Sequence, residues 1–226
     1  MYVLQLDRLC PSRSETLRYL GHDGQDISGD LDCSISKCIG MIGRTARPRC
    51  VYDVFDVCQR DNGVLLGGSL LLRSLDVKRL LRDCKKAVLF AATLGGAIDN
   101  EIRLAQELDP AKAVILNAAA AALIEQQCDS IEAKLKKQLN AQSITRRFSC
   151  GYGDLPLEKQ PELLRALDAQ RKIGLSVSDG GIMLPKKSVT AIFGICDGAD
   201  LSGSDADLCK IKCTQCQKTD CVFRRG

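Results

Sequence analysis

The chain has 226 residues, 45% of them hydrophobic and 27% charged, which is enough apolar material for one large core or two modest ones and too much for global disorder. A net charge of +4, with no Lys/Arg run interleaved with aromatics, argues against a nucleic-acid groove, and 4% aromatics without tryptophan leaves a core of Leu, Ile, Val and Ala. The most apolar run, Ala113 to Ile124, is shorter than the roughly 20 residues of a membrane span and carries Asn117. The opening MYVLQLDRLC lacks the basic flank and long apolar stretch of a secretion signal, so the expectation is a soluble, cytoplasmic protein without a membrane partner. Its thirteen cysteines are then expected to be thiols or metal ligands rather than a disulfide framework.

In chain order, Tyr2 to Leu6 reads as a short strand. PSRSETLRYLG follows, with Ser12 as a helix cap, Glu15 three positions on and Gly21 as a stop. Ile35, Ile39 and Ile42 recur at helical spacing within a helix expected over Leu31 to Thr45, ended by Pro48. Arg49 to Cys58, the turn signal at Asp61 to Gly63 and GVLLGG read as a β-hairpin. A short helix over Ser74 to Cys84, an inner strand over Lys86 to Ala92 and a helix over Leu94 to Leu108 come next. Asp109-Pro110 then opens a long helix reaching about Asn140. Its alanine-rich first half is expected to be central and its charged second half to project.

Beyond it lie a strand over Ser143 to Phe148, the irregular segment RRFSCGYGDLPLEKQ, a helix over Pro161 to Ile173, a loop GLSVSDGGIMLPKK and a strand over Ser188 to Ile195. The alternation predicts an α+β fold: a mixed or antiparallel sheet covered by helices, one of them long and central. Residues 1–196 form the expected domain, 197–208 an acidic, small-residue linker, and 209–226 a cysteine-rich tail.

In that tail Cys209, Cys213, Cys216 and Cys221 form C-x3-C-x2-C-x4-C, a spacing that lets four thiolates converge on one tetrahedral ion or one iron–sulfur cluster. Ligand type leaves zinc and a [4Fe–4S] cluster both open. Most of the other cysteines read as small buried hydrophobes. Cys150 differs, because it sits in a glycine turn beside Arg147, a cation able to lower its pKa. The single histidine, His22, leaves no Ser-His or Cys-His nucleophile pair, and neither a phosphate-loop lysine nor a dinucleotide fingerprint is present.

Arg147-Phe148-Ser149-Cys150-Gly151-Tyr152 matches an Arg-x-x-x-Gly-Tyr motif, and Gly174 to Val189 follows it with Met183, Pro185 and Ser188-Val189 in order. This pairing resembles the activation domain of cobalamin-dependent methionine synthase, with the ordered match running from Arg147 to Val189. The whole chain is similar to stand-alone proteins of that kind, less specifically over 1–108. The chain departs from the family pattern at Cys150, which replaces a proline, at Asp179-Gly180, which replaces Glu-Ser, and after the Ser-Val segment, where a tyrosine-containing strand gives way to the linker and tail.

The resemblance implies reductive activation of a cobalamin-dependent methyltransferase subunit. S-adenosylmethionine would be bound as methyl donor, and cob(II)alamin carried by the partner would be converted to methylcobalamin with an electron from a flavodoxin or ferredoxin. Arg147 would pair with the ligand carboxylate. Ser149, Cys150 and Gly151 would offer backbone groups to the adenine, and Tyr152 would face the corrin and serve as the catalytic residue. Such a chain would be an activation subunit of a methyltransferase. Two other readings stay open: a non-catalytic adaptor for a corrinoid protein, and a zinc-stabilised metal-binding module.

Overall fold

A computed structural model describes residues 1–196. The tail cysteines Cys209, Cys213, Cys216 and Cys221 and the linker 197–208 lie outside the described residues. The element order is β1 (Tyr2–Leu4), α1 (Arg13–Tyr19), α2 (Gly29–Thr45), β2 (Arg49–Arg60), β3 (Gly63–Leu66), β4 (Leu70–Leu72), α3 (Leu75–Leu80), β5 (Lys86–Thr93), α4 (Gly96–Leu108), α5 (Pro110–Gln138), β6 (Ser143–Ile144), α6 (Gln160–Ala166), α7 (Ala169–Ile173), β7 (Ser176–Val177), β8 (Met183–Leu184) and β9 (Ser188–Cys196).

The main sheet has seven strands in the order β4-β3-β2-β5-β9-β6, with β1 also paired to β2. Every pairing in it is antiparallel. β2 belongs to two neighbourhoods: Arg49 to Asp56 pair with β5, and Val57 to Arg60 turn to pair with β3. A separate two-stranded hairpin joins β7 to β8.

The inner strands are apolar on both faces, as KAVLFAAT suggests, because side chains alternate across a strand and both faces of the sheet are covered. Val88, Phe90 and Ala92 of β5, with Ala191, Phe193 and Ile195 of β9, enter a core shared with α2, α4 and α5. Ala87, Leu89, Ala91 and Ile192 enter a second core on the opposite face, shared with β3, β4, α3, α6 and α7. The helices on the first face begin where the sequence signals them. Ser12 accepts from the Glu15 amide, Ser28 from Leu31 and Asp109 from Lys112, each satisfying an otherwise orphaned donor.

α5 is longer than any other helix described, 29 residues or about 43 Å at 1.5 Å per residue. Its buried side chains run along its whole length, from Ala113, Leu116, Ala120 and Leu123 to Cys128, Ile131 and Leu135. The expectation that its second half projects is therefore corrected. The charges of KLKKQ lie on one side of a helix whose other side continues the apolar stripe.

Three local features also differ from the sequence reading. The helix expected over Pro161 to Ile173 is two helices, broken at Asp168, whose backbone is left-handed with φ of 50°. The loop GLSVSDGGIMLPKK contains the β7–β8 hairpin. The strand expected over Ser143 to Phe148 pairs in ladder register at Ser143 and Ile144, keeps a bond from Thr145 N–H to the Gly194 carbonyl, and bridges Ile192 at Phe148.

Candidate functional site

The segment from Arg146 to Leu157 leaves the edge of β9 and crosses from one face of the sheet to the other. Phe148 is pinned first: its N–H donates to the Ile192 carbonyl and its carbonyl accepts from Ile192 N–H, both at 2.8 Å. With Phe148 pointing into the second core, extended backbone sends its neighbour Arg147 to the opposite side, against α5. Arg146 stays at the surface, its guanidinium 5.7 Å from the Phe148 ring centroid.

Arg147 meets three carboxylates. Its guanidinium donates to Asp129 at 2.7 Å, Glu132 at 3.0 Å and Glu125 at 2.6 Å. The spacing i, i+4, i+7 puts these acids on one face of α5, so the helix presents an acidic stripe and the loop supplies one cation to it. Burial opposes the charge on Arg147, but Glu132, Asp129 and Glu125 outweigh it and hold the guanidinium firmly protonated. Burial pushes the Glu132 carboxyl above its ordinary range, with Arg147 pulling the other way. Nothing in the sequence reading had singled out Glu125, Asp129 or Glu132. Their helical spacing was the available signal, but the loop that meets them is assigned by tertiary pairing.

After Phe148 the chain makes a tight turn. Tyr152 N–H donates to the Ser149 carbonyl at 3.3 Å, Leu155 N–H to the Tyr152 carbonyl at 3.1 Å, and Gly151 N–H to the Leu155 carbonyl at 2.9 Å. Gly151 is required here by its φ of 84°, and its amide is already used by the turn. Tyr152 projects outward, 68% exposed. Leu155 is buried and anchors the segment as its sequence suggests, whereas Leu157 is exposed and lies over Gly151 and Gly181. Asp154 fastens the turn to α3: it accepts from the Ser74 hydroxyl and from the amides of Leu75 and Asp76. Asp76 returns the bond, accepting from Asp154 N–H at 3.2 Å. Burial acts against the Asp154 charge, but these three donors prevail and hold its carboxyl below the ordinary range.

Cys150 is buried, and burial pushes its thiol up to about 11, with Lys159 only a minor opposing influence. The lowering of its pKa that a neighbouring Arg147 could produce is not found, since that guanidinium is turned toward α5. Among the other cysteines expected to be small hydrophobes, Cys38, Cys50, Cys84 and Cys128 are buried; Cys10, Cys33 and Cys58 are exposed and Cys196 is half-buried.

The turn forms one wall of a groove of about 420 Å³. Arg147, Ser149, Cys150 and Tyr152 line this side, Gly181, Met183 and Ser188 to Thr190 the other, and Glu125 contributes from α5. The two stretches that carry the sequence resemblance, Arg147–Tyr152 and Gly174–Val189, thus both line one cleft. Its floor is held by Gln160, a buried amide that donates to Thr190 Oγ1 at 2.7 Å and to Met183 Sδ at 3.2 Å. Gln160 is a groove residue that the sequence reading passed over as the end of the irregular segment. Among the described residues no cluster of three or more His, Cys, Asp or Glu side chains is placed to hold a metal ion, and no described helix is long and apolar enough to cross a membrane.

No protein-family model matches the chain, and no curated protein sequence matches it. Among solved structures it is similar to a crystal structure of the MetH reactivation domain bound to AdoHcy, with a TM-score of 0.61 and 13% identity over 87% of this chain and 80% of that one. The chain therefore shares its overall fold with the MetH reactivation domain.

Proposed function

We propose that the chain binds S-adenosylmethionine in the groove between Arg147–Tyr152 and Gly181–Thr190 and presents it to a corrinoid-bearing methyltransferase subunit during reductive activation. The observation that carries the reading is the meeting of these two stretches across one cleft, on a fold shared with a domain solved with AdoHcy bound. S-adenosylmethionine would supply an activated methyl group, and a partner-borne cob(II)alamin, reduced by a flavodoxin or ferredoxin, would take it up to give methylcobalamin. The chain's own contribution is positioning, which is why the absence of a histidine dyad poses no difficulty.

Of the acids around Arg147, Asp129 is the most exposed, at 66% of its side chain, against 39% for Glu125 and 19% for Glu132. Glu125 is the one of the three that lines the groove, so a ligand carboxylate bound there would displace it from the guanidinium, while Asp129 and Glu132 hold Arg147 in place. Tyr152, exposed at the groove mouth, would meet the corrin and is the residue we assign to catalysis. Ser149 and Cys150 would flank the adenine. The tail cysteines Cys209, Cys213, Cys216 and Cys221 would hold zinc or an iron–sulfur cluster, the latter able to relay the electron.

Calorimetry of the native protein with S-adenosylmethionine tests the binding step, and anaerobic spectroscopy of a cob(II)alamin methyltransferase with reductant and S-adenosylmethionine tests the outcome. Binding together with methylcobalamin formation is expected. One observation favours the adaptor reading: Arg147 is already neutralised by its own carboxylates. Absence of binding heat in a protein that still associates with the corrinoid subunit would select that reading.

A further inference from the structure

Gln160 lies beneath the groove with its amide fixed in one orientation. Its Nε2 is 2.7 Å from Thr190 Oγ1 and 3.2 Å from Met183 Sδ. A thioether sulfur accepts but does not donate, so the atom facing Met183 is the nitrogen, and both amide hydrogens are thereby used. Turning the amide over would set an oxygen against that sulfur with no hydrogen between them. The main chain is held as well, since Gln160 N–H donates to the Leu157 carbonyl. Gln160 and Thr190 are each 2% exposed, so the pair is packed in place and does not swing into solvent.

Gln160 Oε1 is left over. Among the described residues no group donates to it. Gln127 Oε1 is the one fully enclosed side-chain oxygen or nitrogen without a partner among the described residues. Gln160 Oε1 is therefore not sealed in, and the space it opens on is the groove that Gln160 lines. Its place along that groove follows from the sheet. Phe148 bridges Ile192 in antiparallel fashion, which carries Cys150 toward Thr190, two residues further along each segment. Thr190 shares a face of β9 with Ile192, the face of the second core, where Cys150 is also buried. Arg147 points to the other face, against α5. The unmatched acceptor thus lies at the Cys150 end of the groove, away from the guanidinium.

We propose that Gln160 is a specificity-determining residue of the groove, its Oε1 accepting a hydrogen bond from the exocyclic amino group of the ligand's adenine. The inference rests on the reading that S-adenosylmethionine binds here with its carboxylate at Arg147 and its adenine beside Cys150. Adenine carries an amino donor on its six-membered ring, whereas a 6-oxo purine would bring a second acceptor against Oε1. The hold on Nε2 keeps the amide from turning over to suit it. A site built to pair with one polar group rejects an analogue that lacks it, because the buried partner is left unpaired. The groove therefore discriminates between adenosyl and inosyl ligands, a selection that the Arg147 contact by itself does not make.

Calorimetry on the full chain with S-adenosylhomocysteine and S-inosylhomocysteine, which carry an amino and an oxo group at the same purine position, provides the test. The native protein should prefer the adenosyl ligand by at least about tenfold. Gln160→Met, which keeps the length of the side chain and removes both polar atoms, should weaken the adenosyl ligand and leave a preference below about twofold. A purely structural role for Gln160 would instead weaken both ligands alike and leave their ratio unchanged, and that result would overturn the proposal. Thr190→Val gives a second route should Gln160→Met misfold. It keeps Gln160 and the shape at position 190 but removes the oxygen that orients the amide, and it should narrow the preference as well. A native preference under about twofold, or a full preference kept in either folded variant, would overturn the assignment of Gln160 while leaving ligand binding intact. A native protein that binds neither S-adenosylmethionine nor S-adenosylhomocysteine would overturn the binding reading itself, and this inference with it.

Discussion

The two faces of the sheet are covered in different ways. One carries α1, α2, α4 and the 29-residue α5, whose buried stripe of Ala, Leu and Ile is continuous. The other carries a patchwork in which the longest helix, α6, has seven residues, completed by α3, α7, the β7–β8 hairpin and the turn around Gly151. A long regular helix satisfies its backbone internally and leaves little irregular surface. A patchwork cover has many ends and turns, and the groove forms where it meets the acidic stripe of α5. One face is therefore covered by a continuous apolar helix, and the groove proposed for the ligand lies at the seam between the two covers.

The largest effect that would break this contrast is expected on the helical face. Leu123→Ala removes a fully buried α5 side chain and should cost about 3 kcal/mol in urea denaturation. A loss under about 1 kcal/mol would show that α5 does not dominate the core. At the seam, Arg147→Ala strands Glu125, Asp129 and Glu132 together and should cost about 2 kcal/mol at neutral pH, less than for a fully buried pair because Arg147 is 24% exposed. Glu132 has a raised pKa in the folded state, so its charge opposes folding, and its contribution worsens as pH rises through the carboxylate range. The deficit of Arg147→Ala should therefore shrink between pH 7 and pH 4, and a deficit independent of pH would exclude the acidic stripe as its cause.

Asp154→Asn sharpens the comparison within the patchwork itself. The carboxyl is depressed in the folded state, so the stability it adds is present above its unfolded pKa of about 3.9 and is lost as pH falls through the folded value. The variant should lose about 1 kcal/mol at neutral pH, the low side for a charged acceptor because Asp154 is exposed. That difference should vanish in acid, and a difference that stays the same from neutral pH into acid would remove the Asp154 charge from the fastening of the turn. The smallest stability effect belongs to Tyr152→Ala, within about 0.5 kcal/mol for so exposed a side chain. Methylcobalamin formation should nevertheless fall, and an unchanged rate would take Tyr152 out of the catalytic role.

Much of the fold was legible before the structure, because the signals involved are local. Ser12 and Asp109 cap helices where their side chains can reach an amide three residues on, and KAVLFAAT is apolar at every inner position because both of its faces are buried. The segment from Arg147 to Tyr152 was legible as a motif, and five of its six residues line the groove, Gly151 being the exception. Where local signals failed, contacts distant in sequence had decided. Asp168 breaks a helix at a position where the sequence carries no glycine or proline, and the far half of α5 is buried only because α1, α2 and the sheet come to it.

The sequence by itself determined most of the element types, the long helix and an α+β class with a mixed or antiparallel sheet, all of which follow from short-range periodicity and capping. Only the tertiary structure decided that Arg147 faces three acids of α5, that burial raises the pKa of the Cys150 thiol, that Gln160 and Thr190 join beneath the groove, and that Cys84 meets Cys196. The reason is physical: electrostatic partners and desolvation depend on which groups lie within a few ångströms, and that proximity is set by sheet register and packing between residues up to 112 positions apart.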